Sequence, residues 1–159
     1  MTMTINYIKI NKILDKYFPF VLRAGLAIVF LYFGINQLIH PQFFVGWLPK
    51  EVSLLPLSPI KFVILNGGFE VLFGSLLLLG IYRRVSALLL GLHLLGITYT
   101  IGFTEIGIRD LGLAIATLVI AMIKDDFFSL DYLFKKPETS QSIYIQQQKQ
   151  SSTTPITGF

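Results

Sequence analysis

The chain has 159 residues, of which 53% are hydrophobic and only 14% charged, with a formal net charge of +4 and no cysteine. The length suits one domain, but the composition is too apolar for an ordinary soluble fold. The lack of thiols excludes disulfide exchange by the chain itself, and the absence of a basic stripe interleaved with aromatics excludes a nucleic-acid surface.

Residues 1–17 place Ile5, Ile8, Ile10, Ile13 and Leu14 among lysines. They read as an amphipathic lead-in at the cytoplasmic interface, or equally as an extension of the helix that follows. The first long apolar segment is 18–39. It exceeds the apolar core of a signal peptide and no small-residue cleavage site follows it, so it is read as an uncleaved span. Residues 40–61 form an external loop. Pro41, Pro49, Pro56 and Pro59 break any long helix there, and Phe43, Phe44 and Trp47 suit the headgroup belt. The loop is placed to lid whatever opens beneath it.

Segments 62–82 and 85–103 are further spans. The fourth, 108–123, reaches spanning length only with flanking residues. Residues 124–136, with Asp125, Asp126 and Asp131 among Phe127, Phe128, Tyr132 and Phe134, read as an interfacial segment. From Pro137 the chain turns to Ser, Thr and Gln and is predicted to be a disordered polar tail, 137–159. The expected fold is all-α, an integral membrane antiparallel bundle of four transmembrane helices. Lys9, Lys12, Lys16, Arg83, Arg84, Lys124, Lys135 and Lys136 outweigh Lys50, Lys61 and Arg109, which puts both termini in the cytoplasm.

Glu70 interrupts the apolar run Phe69–Phe73. An acid in hydrocarbon costs roughly 2.5–3.5 kcal/mol on insertion scales, so it is kept either neutral or held by a partner. A rise of about 1.5 Å per residue puts Asn66 near the outer face and Glu70 one turn deeper on the same side of the helix. Asn36, Gln37, Asn66, Glu70, Tyr99, Arg109 and Asp110 then form one outer-half constellation, able to line an outward-facing pocket. Arg109 is the favoured partner for Glu70. Arg23, about 10 Å deeper, is the rival. His93 falls in the lower middle and reads as a hydrogen-bonding bundle residue. Plainer roles compete: Asn36 and Gln37 as end caps, Asn66 as interhelical glue, Arg109 as an interfacial anchor.

Gly67, Gly68, Gly74, Gly91, Gly96 and Gly112 allow close helix approach. No residues have metal-ligand spacing, His40 and His93 differ too much in depth for a haem, and no phosphate loop or nucleophile elbow is present.

Several stretches resemble the DoxX family of small four-helix membrane proteins. They are Arg23-Ala24-Gly25-Leu26 with Phe30-Leu31-Tyr32-Phe33-Gly34, then Gly68-Phe69-Glu70-Val71-Leu72-Phe73-Gly74, then Leu79-Gly80-Ile81 with Arg83-Arg84, and finally Ile108-Arg109-Asp110-Leu111-Gly112-Leu113-Ala114. The similarity covers about residues 18–123. Gln37 stands where the family pattern leads one to expect a lysine. The resemblance implies a subunit like those of thiosulfate:quinone oxidoreductase, a bacterial or archaeal plasma membrane, and quinone-linked sulfur or thiol oxidation with other membrane or soluble redox subunits. On that reading Glu70 transfers a proton, and Arg23, Asn36, Asn66, Tyr99, Arg109 and Asp110 bind the cofactor, with quinone as the candidate. A non-enzymatic membrane anchor or assembly partner is the alternative, and a small transporter, needing several protomers of a homo-oligomer, is a third.

Overall fold

The computed structural model describes residues 2–49, 52, 56–123, 126–134 and 148. The expected disordered tail lies outside the described residues apart from residue 148. Among the described residues five helices follow in order: α1 (Thr2–Ile39), α2 (Pro59–Leu79), α3 (Arg83–Ile101), α4 (Glu105–Met122) and the short α5 (Leu130–Phe134). Two 3-10 turns, Pro41–Phe43 and Val45–Trp47, lie between α1 and α2. The lead-in and the first apolar segment are one continuous helix.

Local chemistry sets each boundary. Ser58 caps α2, its hydroxyl accepting from the Lys61 amide at 3.4 Å, and Pro59 takes the first helical position. Gly80, at φ 71°, ends α2, with the Ile81 amide returning to the Leu76 carbonyl at 3.0 Å. The Asp131 carboxylate accepts from the Tyr82 and Arg83 amides at 3.0 and 2.9 Å, so α5 caps the start of α3 from a distance in sequence. Thr104 caps α4, accepting from the Gly107 amide at 3.1 Å.

These caps start each helix earlier than the apolar segments do: Pro59–Leu79 in place of 62–82, Arg83–Ile101 in place of 85–103. Glu70 therefore sits near the middle of α2, about 16 Å from Pro59. That is half of a hydrocarbon layer of about 30 Å, not the shallow depth the apolar segments implied.

Three helices are long and apolar enough to cross a membrane: Leu14–Ile39, Pro59–Leu79 and Arg83–Ile101. The fourth helix has 18 residues and opens with Glu105, Arg109 and Asp110, so a fourth crossing does not follow from its length and composition. Exposed aromatics gather at both ends of the bundle, Phe43, Trp47, Tyr99 and Phe103 at one and Tyr17, Phe18, Tyr132 and Phe134 at the other.

The helices pair most closely as α1 with α2 and α3 with α4. The first pair crosses at glycines. A Cβ on Gly67 would lie 2.8 Å from the Gly34 carbonyl oxygen and from Cβ of Gln37. That approach is what brings the end of α1 against the middle of α2. Leu26, Leu77, Ala87, Leu90 and Ile120 fill the half of the bundle nearest α5. Arg23 closes that half. It is fully buried, with Nε donating to Asp126 Oδ2 at 2.7 Å, Nη1 to the Leu77 carbonyl at 2.6 Å and to the Leu78 carbonyl, and Nη2 to the Phe128 carbonyl at 3.2 Å. One side chain thus satisfies the terminal carbonyls of α2 and pins the α4–α5 connection to α1.

Candidate functional site

The opposite half of the bundle is hollow. A cavity of about 560 Å³ reaches from mid-depth to the α1–α2 loop. Its walls are mostly apolar: Phe30 and Phe33 of α1, Phe62 of α2, Leu94 and Ile97 of α3, Leu113 of α4. Phe44, Trp47, Leu48 and Pro49 of the loop line its outer end, in keeping with the position expected of a lid.

Glu70 lies at the inner end with polar groups from three helices around it. The Gln37 amide Nε2 of α1 donates to Glu70 Oε2 at 2.9 Å. Asn66 Nδ2, one turn away on α2, donates to Glu70 Oε1 at 3.1 Å and to Gln37 Oε1 at 2.7 Å. These three side chains, two neutral amides and one carboxyl group, form a closed triangle. From α3, His93 Nε2 lies 3.4 Å from Glu70 Oε1, with its ring tilted against Phe69 at 4.8 Å between centroids. That nitrogen is buried and has no hydrogen-bond partner among the described residues. Toward the outer end, Arg109 Nε and Nη2 engage Asp110 Oδ1 at 2.9 and 2.8 Å, and the guanidinium lies over the Phe33 ring at 5.8 Å.

The sequence-predicted residues divide clearly. Asn66, Glu70, Arg109 and Asp110 all line the cavity. Arg23 does not: it belongs to the opposite half, where Asp126 and three carbonyls hold it. Asn36 bonds back to the Tyr32 carbonyl of its own helix at 2.7 Å, and Tyr99 is 88% exposed; neither lines the cavity. The expectation that an arginine pairs with Glu70 is corrected for both candidates. Arg109 is satisfied by its sequence neighbour Asp110, and Arg23 by Asp126.

His93 is the group that sequence reasoning placed elsewhere. Depth counted from the first apolar residue of each segment puts it too deep. With α2 beginning at Pro59 and α3 at Arg83, Glu70 and His93 fall at the same mid-depth level on neighbouring helices. The signals were present as Ser58-Pro59 before α2 and Gly80 after it. Gln37, seen in the sequence as a departure from the family pattern, is the closest partner Glu70 has.

The chemistry available here is specific. A small molecule of modest size can enter an apolar chamber and meet, at its inner end, one acid, one imidazole and two amides. Glu70 is oriented by fixed donors, and the His93 nitrogen offers an unused hydrogen-bonding position.

A family model, DoxX, matches residues 18–102, more than half the chain. The match takes in Gln37, Asn66, Glu70 and His93 and stops before α4, short of the 18–123 suggested by the quoted motifs. No curated protein sequence and no solved structure matches the chain. With a family model spanning most of its helical hairpins and three helices built to cross a bilayer, the chain is an integral membrane protein of the DoxX family.

Proposed function

We propose that this chain is a quinone-binding membrane subunit of a redox complex that oxidises sulfur compounds or thiols. The observation that carries the reading is the apolar cavity ending at the Gln37–Asn66–Glu70–His93 cluster. A quinone is a flat apolar ring with polar oxygens, and it dissolves in the same bilayer the helices cross. Reducing it to the quinol takes up two electrons and two protons. Glu70 is suited to give or take one of those protons at a ring oxygen. The electrons arrive from a partner subunit, since the chain has no thiol with which to carry out the sulfur chemistry itself. The lysine and arginine distribution supports a reading with the termini in the cytoplasm and the loop on the outer side.

Quinone reductase activity of membranes carrying the complex tests the role of Glu70. Glu70→Gln keeps the side-chain shape and removes the exchangeable acid. The rate is expected to fall by about 10²-fold or more, in the range of a lost general acid or base. An unchanged rate in that variant would sink the proposed role.

A further inference from the structure

Among the described residues, four titratable side chains face the cavity: Glu70 and His93 at the inner end, Arg109 and Asp110 toward the outer end. The only fixed cation of the four, Arg109, is already engaged by Asp110 at 2.8 Å. Arg23 is committed to Asp126 in the other half of the bundle. Position 37 of α1 holds a neutral amide whose Nε2 donates to the carboxyl group of Glu70 at 2.9 Å. An oxyanion entering the inner end would meet a carboxyl group and, among the described residues, no unpaired lysine or arginine to offset the cost of burying its charge in an apolar surround. A neutral molecule meets no such barrier. It also finds one vacant hydrogen-bonding position, the buried Nε2 of His93, 3.4 Å from Glu70. A buried polar nitrogen without a partner is a cost that a ligand oxygen removes on binding.

We infer that the cavity takes a neutral ring compound whose carbonyl or hydroxyl oxygen hydrogen-bonds Nε2 of His93, and that it rejects inorganic oxyanions. This deepens the quinone reading and rests on it for the choice of ring. It adds a specificity residue, His93, beside Glu70. It also assigns the sulfur half of the reaction elsewhere: a thiosulfate-like substrate is handled by a partner subunit, and only the neutral, lipid-soluble partner enters here.

The chain carries its own probe. Trp47 is its single tryptophan and lines the cavity. Trp47 fluorescence of the full-length protein in nanodiscs is titrated with decylubiquinone, with a neutral alkylphenol and with thiosulfate, for wild type, His93→Ala and His93→Gln. The inference expects saturable quenching by decylubiquinone and none by thiosulfate, which also fails to compete. His93→Ala weakens binding about tenfold, the loss of one buried hydrogen bond. His93→Gln, which returns an amide near the same position, recovers most of it and guards against misfolding as the cause. Thiosulfate competition, or unchanged affinity in His93→Ala, overturns the inference and leaves the quinone reading standing. Alkylphenol binding without quinone binding does the reverse. No binding by either ring compound overturns both.

Discussion

Arg23 and Glu70 are both ionisable side chains in an apolar chain, and the protein treats them in opposite ways. Arg23 is given a full counter-charge, Asp126, and enough carbonyl oxygens to engage its guanidinium at every nitrogen. Glu70 is given only neutral amides and a nearby imidazole. The first arrangement is a lock; the second leaves room for a further partner. Breaking a buried ion pair by removing one member typically costs about 3–5 kcal/mol, because the other charge is left unpaired. Asp126→Asn is therefore expected to lower the melting temperature in detergent sharply, while the paired replacement Arg23→Met with Asp126→Leu costs less than either single change. Thermal melts of the three variants check this, and equal losses in all three would argue against the lock. In the sequence, Glu70 was legible as the centre of the site because an acid in hydrocarbon stands out. The partner of Arg23 was not: Arg23 and Asp126 are 103 residues apart in sequence, and only the folded chain shows that they belong together.

At the level of helices, the site depends on how closely α1 approaches α2. Gly34 and Gly67 face each other, and the contact sets Gln37 against Glu70. Gly67→Ala would put a methyl group 2.8 Å from a backbone oxygen that has no room to retreat. It is expected to cost about 1–3 kcal/mol through overpacking and to weaken ligand quenching of Trp47 as Gln37 is pushed off Glu70. Gly68→Ala is the control: no atom lies within 4 Å of its added Cβ. Alanine there is expected to be neutral or to stabilise α2 by up to about 1 kcal/mol. Melting temperature and quinone affinity measured for the pair test the crossing, and similar behaviour of the two variants would refute it. The sequence presents Gly67 and Gly68 as equivalent small residues, and which one meets α1 is decided by the helix face. Helix number and order followed from apolar length, whereas the shift of two or three residues at the starts of α2, α3 and α4 followed from caps. That shift alone moved Glu70 to mid-depth and brought His93 level with it.

On the scale of the whole molecule, the bundle has one packed half and one hollow half, with the loop over the hollow one. The charge asymmetry predicts that the loop side is external. The natural lack of cysteine makes this simple to test, because a single introduced thiol has no background. Lys61 and Arg84 are both exposed and lie at opposite ends of α2 and its turn. Lys61→Cys is expected to react with an impermeant maleimide on intact cells, and Arg84→Cys only after lysis. The reverse pattern would invert the topology. The packed half has a further consequence. Between Glu70 and the α5 end, Leu77, Leu90 and Ile120 pack closely above Arg23, which Asp126 and three carbonyls hold in place, whereas the cavity opens toward the loop. If Glu70 exchanges a proton as proposed, the open side of the cavity makes the space beneath the loop its nearest route to water.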